Sequence, residues 1–334
     1  MNNTITLAHG SGGTQTADLI NSIFKKYFTS PLLTADDAAA VPATSGRLAM
    51  STDGFIVSPA FFKGGNIGKL SVCGTVNDLA CMGARPLYLT CACIIEEGFK
   101  ISDLEKAVCS MADTAKEAGV EIVAGDTKVT GRGQADGIFI TTTGVGEILP
   151  DVNTGGAFAR PGDVIIVTGD IGRHGCTILL ERDDFGIEAD VSSDCAPLWE
   201  LVKNALCAFN GIHVIRDATR GGVGTVLYEI AAQSNVGISV DREAVPVLPE
   251  VSGVCGMLGL DPMYLACEGR MIFIVPKEAA DRVLEAIRKS PHGEGAAKIG
   301  TVTSDNIGRV VMNTEIGTQT LLPKPRGELL PRIC

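Results

Sequence analysis

The chain has 334 residues, of which 45% are hydrophobic and 20% are charged, enough for a globular protein with two hydrophobic cores. Its net charge of -11, with only 28 basic residues, argues against nucleic acid or an anionic membrane surface as the main partner. No apolar run approaches the about 20 residues of a membrane span, and the N-terminus lacks a signal-peptide pattern. We therefore expect a cytoplasmic protein with neither a membrane nor a nucleic-acid partner.

Helix and strand patterns alternate through the first half of the chain. They predict a helix over 14–27, a strand over 48–57 interrupted at Thr52-Asp53-Gly54, a helix over 67–82, a strand over 86–95, a helix from 102 and strands over 120–124 and 138–148. The segment from Ser102 to Glu105 is typical of a capping box that begins the third helix, which Gly119 would end.

A turn-rich junction over 153–163 separates this half from the second. There the patterns predict strands over 164–168 and 271–275 and helices over 176–182, 198–209, 224–233 and 279–289. We expect an α/β (α+β) protein with an N-terminal domain over 1–152, a C-terminal α/β domain over 153–320 and a flexible tail over 321–334. Pro323, Pro325, Gly327 and Pro331 exclude regular structure from most of that tail.

Eleven cysteines occur in the chain, most of them inside apolar segments. Cys91 and Cys93 would share one face of a strand, and no second pair has zinc-like spacing, so we expect core thiols. Cys334 is different, because it ends a tail whose last eleven or so residues reach on the order of 35 Å. In a reducing cytosol it would stay a free thiol, either on a carrier arm or as an accident of an unstructured end.

Acidic residues occur in five short motifs that we expect at or near strand ends and loops. The motifs are Asp36-Asp37-Ala38-Ala39, Thr52-Asp53-Gly54, Asn77-Asp78-Leu79-Ala80, Gly125-Asp126-Thr127 and Asp217-Ala218-Thr219-Arg220-Gly221-Gly222. Carboxylates repel phosphate, so several at one nucleotide site require Mg²⁺ between them. Any single motif also fits a turn or a helix cap. Asp78 is the most informative, because it interrupts a helix whose other positions look buried.

The glycine-rich segment from His9 to Gly13 precedes the first predicted helix. Backbone N–H groups and the helix dipole favour an anion at such a position. The segment matches neither a Walker A loop nor a Rossmann fingerprint, and it equally fits a flexible N-terminus.

The motifs HGSGG, DDAA, TDG, GTVNDLACMGA, GDTKV and DATRGG occur in this order and are followed by a PRIC end. Together they resemble the HypE family of hydrogenase maturation proteins over essentially the whole chain. The wider superfamily includes aminoimidazole ribonucleotide synthetase, selenophosphate synthetase and thiamine monophosphate kinase, all users of ATP and Mg²⁺. The resemblance implies a two-domain PurM-like architecture, with the N-terminal domains of a homodimer paired into a shared β-barrel. Ala35 departs from the glycine expected before the Asp pair.

The resemblance also implies site residues. The positions implied to hold Mg²⁺ are Asp37, Asp53, Asp78 and Asp217. The positions implied to bind ATP are His9, Gly10, Ser11, Gly12, Gly13, Thr52, Asn77 and Asp126, with Asn77 and Asp78 acting across the homodimer.

The implied activity is that of an ATP-dependent carbamoyl dehydratase. Cys334 would receive a carbamoyl group from a HypF-type carbamoyltransferase, and dehydration would turn this S-carboxamide into S-cyanide. The cyanide would pass through an iron-loaded HypC–HypD-type scaffold to the iron of [NiFe]-hydrogenase. Lys128 and Glu268 are the candidates for proton transfer, although each also fits a surface charge or ion pair. The alternatives are a small-molecule ATP-dependent kinase or synthetase of the same superfamily and a non-enzymatic thiol carrier.

Overall fold

The computed structural model describes residues 4–11, 13–33, 38–182 and 185–324. Three predicted site residues, Gly12, Asp37 and Cys334, lie outside the described residues. The α-helices are α1 (Thr14–Leu19), α2 (Lys25–Tyr27), α3 (Ile67–Cys81), α4 (Ile101–Ala118), α5 (Arg173–Glu181), α6 (Trp199–Ala208), α7 (Gly222–Gln233), α8 (Pro249–Leu258) and α9 (Ala280–Arg288). A π-helical turn, Ile20–Phe24, joins α1 to α2, so the predicted helix over 14–27 is continuous.

The strands form two sheets and a small hairpin. They are β1 (Leu48–Phe55), β2 (Phe61–Phe62), β3 (Gly65–Asn66), β4 (Ala84–Glu96), β5 (Glu121–Thr130), β6 (Ile138–Ile148), β7 (Val164–Val167), β8 (Val214–Asp217), β9 (Gly237–Asp241), β10 (Met271–Val275), β11 (Ala297–Thr303), β12 (Val310–Asn313) and β13 (Gln319–Leu321). The N-terminal sheet has the order β1-β6-β4-β5, and the C-terminal sheet has the order β13-β12-β9-β11-β7-β10-β8.

The N-terminal sheet is covered on one face only. Buried and accessible residues alternate along most of β4, and Cys91 and Cys93 point into the core beneath α3 and α4. This confirms the prediction that both are core thiols. Ala92 and Ile94, one position along, lie on the opposite face, because successive side chains of a strand alternate. We call that opposite side the open face.

The C-terminal sheet is covered on both faces, which explains the uninterrupted apolar runs of β7 and β10. Ile166 and Phe273 pack with residues of α6 and α9 on one side. Ile165 and Ile272 pack with residues of α7 on the other. The molecule is therefore a mixed α/β, two-domain fold in which one sheet is half-covered and the other is the centre of a three-layer domain.

Helix α3 lies between the two domains. It is buried at 13 of its 15 positions, and only Lys69 and Asp78 are not. It contacts β1, β4 and β6 of its own sheet and also α6 and β8 of the C-terminal domain. A helix packed on all sides must be apolar all round, so the carboxylate of Asp78 is an exception that calls for an explanation.

Several sequence predictions were wrong in their limits. Strand β1 is not interrupted at Asp53, and β5 continues past Ala124 through Asp126 to Thr130, so neither carboxylate lies in a turn. The predicted capping box is absent, because α4 begins after Lys100 and Ser102 lies inside the helix. The predicted stop at Gly119 is confirmed by its left-handed backbone, with φ of 68°. Strands β8 and β9 and helix α8 were not predicted.

Among the described residues, no helix is both long and apolar enough to cross a membrane.

Candidate functional site

Four predicted site residues form an acid group where the two domains meet. Asp53 lies on β1, Asp78 on α3, Asp217 at the end of β8 and Glu268 in a bend before β10. The bend is tied to the end of β8, because Ala218 N donates to Arg270 O at 3.1 Å and Cys267 N donates to Ala218 O at 3.0 Å. Four elements from both domains thus bring these carboxyl groups into one electrostatic neighbourhood.

The pKa values of the Asp78 and Asp217 carboxyl groups are both raised above their ordinary values. Burial raises the pKa of Asp78, and the Asp53 carboxylate raises it further, although the Ser51 hydroxyl donates to Asp78 Oδ2 and opposes the rise. Burial raises the pKa of Asp217 to about 6, with the Asp78 carboxylate adding to the effect. Like charges crowded into a low-dielectric site favour a cation between them.

Glu268 is the most enclosed member of the acid group, with 4% of its surface exposed. Burial raises the pKa of Glu268 well above its ordinary value, and Cys195, Asp217, Asp194 and Asp53 all add to the rise. A raised pKa makes the carboxylate a stronger proton acceptor, which suits a general base. Its burial rules out the surface ion pair that the sequence left open.

The acid group does not form a ready-made metal cage. Within the described part of the chain, no three His, Cys, Asp or Glu side chains lie close enough together to hold a metal ion. Mg²⁺ usually keeps several waters and takes one or two carboxylates together with substrate phosphates, so this donor set fits a phosphate-bound Mg²⁺ better than a structural ion.

Asn77 lies where α3 meets the C-terminal domain. Its side chain is 3% exposed and bonds to the main chain of the C-terminal domain. Asn77 Nδ2 donates to Ala196 O at 3.0 Å and to Glu268 O at 3.5 Å, while Leu198 N donates to Asn77 Oδ1 at 2.8 Å. These bonds occupy the amide group and link α3 to the C-terminal domain, and the ATP contact of Asn77 stays a prediction.

Thr52, Asp126 and Lys128 lie on the open face, away from the acid group. Asp126 pairs with Ala92 and Lys128 with Ile94, the accessible positions of β4. Thr52 Oγ1 contacts Thr143 Oγ1 at 2.8 Å on the same face. Successive residues alternate, so Thr52 and Asp53 point to opposite sides of the sheet. One chain therefore does not bring the two candidate bases, Lys128 and Glu268, together.

Lys128 has a nearby counter-charge. Its Nζ lies 3.1 Å from Asp126 Oδ2, and both side chains are more than half exposed. Such a pair contributes little to stability, which leaves Lys128 available to another anion.

The predicted phosphate-binding segment lies at the edge of the N-terminal sheet. Its 3-10 turn, Leu7–Gly10, packs on β5 so closely that a Cβ on Gly10 would lie 2.8 Å from the Val129 main chain. His9 Nδ1 accepts a hydrogen bond from Thr6 N at 3.0 Å, and Ser11 Oγ donates to Ala8 O at 3.0 Å. Gly13 is the N-cap of α1 and has no neighbour where a side chain would lie. The segment thus lies next to the strand that carries Lys128.

Two tyrosines hold the start of the C-terminal tail. Tyr228 on α7 donates to Leu322 O, and Tyr264 donates to Pro323 O. Tyr264 ends the 3-10 turn Pro262–Tyr264, four residues before Glu268. The described chain thus ends beside the segment that leads into the acid group.

Sequence reasoning missed Asp194, which is 5% exposed and bonds to the bend that holds Glu268. No sequence pattern indicates it, because it lies in an irregular segment 74 residues from its partner. Two further histidines have structural contacts: His213 Nδ1 lies 2.8 Å from Asp163 Oδ2, and His174 Nδ1 lies 2.8 Å from Ser193 Oγ.

Family comparisons agree with the two-sheet architecture. Residues 35–148 match the family described as AIR synthase related protein, N-terminal domain, and residues 160–313 match its C-terminal domain. Carbamoyl dehydratase HypE of Rhodobacter capsulatus is 47% identical over 334 residues, covering 99% of this chain and 98% of the relative. This chain belongs to the HypE family.

Solved HypE structures share the fold closely. A crystal structure of hydrogenase maturation protein HypE in complex with ATP is 49% identical, covers 99% of this chain and 100% of its own, and superposes with a TM-score of 0.95. A chain of a HypE–HypF complex is 43% identical, covers 92% and 99% respectively, and has a TM-score of 0.82. HypE relatives therefore include an ATP-bound protein and one assembled with HypF.

Proposed function

We propose that this chain is an ATP-dependent carbamoyl dehydratase of hydrogenase maturation, which converts an S-carboxamide on its own Cys334 into S-cyanide. The observation that carries the proposal is the acid group at the domain junction of a chain that matches carbamoyl dehydratases over its full length. The product would supply the cyanide ligand for the iron of [NiFe]-hydrogenase.

The chemistry requires ATP because hydroxide is a poor leaving group at neutral pH. Transfer of the γ-phosphoryl group to the carboxamide oxygen forms a P–O bond and releases ADP. Removal of both protons from nitrogen then breaks the C–O bond, expels phosphate and leaves the S–C≡N group. Positioning and charge stabilisation dominate such transfers. Bound Mg²⁺ would neutralise charge on the phosphates.

Among the chain's own residues, we assign proton acceptance to Glu268. It is buried at the domain junction, and its raised pKa suits a base that holds the proton it removes. Asp53, Asp78 and Asp217, together with Asp37, would hold Mg²⁺ on the ATP phosphates. Their mutual repulsion in the free protein would be relieved when the cation binds.

A homodimer would give the open face a role. Met50 is 70% exposed there, Leu48 and Ile94 are also exposed, and an apolar groove of about 640 Å³ crosses the sheet. Apolar area of this kind favours burial against a second copy. Pairing two open faces into a barrel would place Asp126 and Lys128 at the subunit interface. We assign Asp126, Thr52 and the segment from His9 to Gly13 to the ATP phosphates and Lys128 to phosphate binding or proton transfer.

Two partner proteins follow from the proposed chemistry. A HypF-type carbamoyltransferase would load Cys334, as the HypE–HypF complex of relatives supports. An iron-loaded HypC–HypD-type scaffold would receive the cyanide.

Ten described cysteines are free thiols, as expected in a reducing cytoplasm. We also propose the domain limits 1–152 and 153–320, with a tail over 321–334.

Intact-mass spectrometry tests the proposal. Protein carbamoylated on Cys334 by the HypF-type donor system is expected to lose the mass of one water molecule after Mg-ATP is added. Retention of that mass while ATP is bound would refute the dehydratase and favour a thiol carrier. ATP turnover on a small molecule, unchanged in Cys334→Ala, would instead favour a superfamily kinase or synthetase.

A further inference from the structure

We propose that Asp194 and Asn77 are positioning residues that hold the main chain of Glu268 in place for dehydration. This inference rests on the proposed function, and neither residue would touch the reacting atoms. Glu268 lies in a bend outside any strand, so no sheet ladder fixes its peptide groups. Its position must come from other contacts.

The amide side of the bend is held by one carboxylate. Glu268 N donates to Asp194 Oδ1 at 3.2 Å, and Gly269 N donates to Asp194 Oδ2 at 3.4 Å. A Cβ on Gly269 would lie 1.8 Å from Asp194 O. Only glycine therefore allows the main chains at Gly269 and Asp194 to approach this closely. Asp194 thus uses both of its oxygens on two successive N–H groups.

The carbonyl side is held by one donor from each domain. Glu268 O accepts hydrogen bonds from Asn77 Nδ2 at 3.5 Å and from Ala196 N at 3.4 Å. Asn77 also binds Ala196 O and Leu198 N, so its amide is fixed in orientation. Because Asn77 precedes Asp78 on α3, these bonds set the position of Glu268 relative to the acid group.

The chemical identity of Asp194 favours a role beyond packing. Asp194 is a buried carboxylate that faces both Glu268 and the Arg270 guanidinium, so a cation partly balances its charge. An asparagine could accept only one of the two N–H bonds, whereas a carboxylate accepts both. A carboxylate at this position can therefore hold both N–H groups of the bend at once.

Single-turnover dehydration of carbamoylated full-length protein tests the inference. In D194A, the maximal rate at saturating ATP is expected to fall on the order of 10-fold to 100-fold, because small misplacements of catalytic groups are costly. The ATP concentration for half-maximal rate should stay within about twofold of wild type, and the slower reaction should still reach full amplitude. Misfolding of part of the protein would instead lower the amplitude and leave the rate constant unchanged. D194N keeps one hydrogen bond, so its maximal rate should lie between those of wild type and D194A. N77D replaces the amide that donates to two carbonyl groups with a carboxylate that only accepts, so its maximal rate should resemble that of D194A.

D163N is the matched control. Asp163 is also a buried carboxylate of the C-terminal domain, bonded to Arg160 N and His213, but it lies at the domain's entry rather than at the bend. Its maximal rate should equal that of wild type.

The outcomes separate two failures. If D194N and D194A both retain the wild-type maximal rate, or if E268Q does, the positioning role is wrong while the dehydratase stands. If wild-type protein itself does not lose water, the proposed function fails and the positioning role fails with it.

Discussion

Replacing Asp217 by asparagine should stabilise the metal-free protein at neutral pH. Burial raises the pKa of the Asp217 carboxyl from an ordinary value of 3.8 to about 6. At 1.36 kcal/mol for each pH unit, keeping it ionised costs the folded chain about 3 kcal/mol above pH 6. The carboxylate also accepts a hydrogen bond from Thr219. Loss of that hydrogen bond costs about 1 kcal/mol. The free energy of unfolding of D217N should therefore be roughly 2 kcal/mol higher than that of the wild type.

The sign of the pH dependence follows from the raised pKa. Below about pH 4 the carboxyl is protonated in both the folded and the unfolded chain, and the electrostatic gain of D217N should vanish. The gain should grow as the pH rises through about 6 and then level off. Urea denaturation with EDTA present, at several pH values between about 4 and 8, measures the difference.

D281N is the control for this experiment. Asp281 is 92% exposed and pairs with Lys298, so its replacement should change the free energy of unfolding by less than about 1 kcal/mol at every pH. A D217N variant destabilised equally at all pH values would refute the electrostatic account. Under the proposed function, D217N should be more stable and inactive, the usual trade-off at a strained site.

Two further predictions use matched pairs. In urea denaturation, the free energy of unfolding of G269A should be lower than that of wild type by more than about 3 kcal/mol, because the new Cβ would collide with Asp194 O. That of G253A should be higher by about 0.5–1 kcal/mol, because the Cβ lies in open space on α8. M50E should shift a homodimer toward monomer in sedimentation velocity, because it charges the open face. M257E, equally exposed on α8, should not, and a dimer unchanged by M50E would place the interface elsewhere.

The sequence was sufficient for the elements whose periodicity is undisturbed. Strands β6 and β10 have the predicted limits, α3 ends one residue before its predicted limit, and α4 begins one residue before its predicted start. Two of the failures are strands that contain turn-forming residues. Gly125 and Asp126 are disfavoured in strands, but parallel pairing with β4 carries β5 through them. There, as at Asp53 on β1, strand pairing overrides the preference of the local sequence for a turn.

The acid group was predicted residue by residue, but its surroundings were not. Asn77 and Asp78 adjoin in sequence, yet neighbouring helical residues point about 100° apart, so one binds the C-terminal domain while the other joins the acid group. Asp194 and Glu268 are brought together by the fold alone. Likewise, the alternation that separates Lys128 from Glu268 becomes visible only when the sheet register is known.

Helix α3 has a consequence for how the protein unfolds. Its buried residues belong to one apolar core that also contains residues of α6 and α9, so the two domains share a core. Two halves joined in this way should melt in a single cooperative transition, without an intermediate in which one half is folded. A ligand that binds at the junction would then raise the melting temperature of the whole chain, by an amount set by its concentration and dissociation constant.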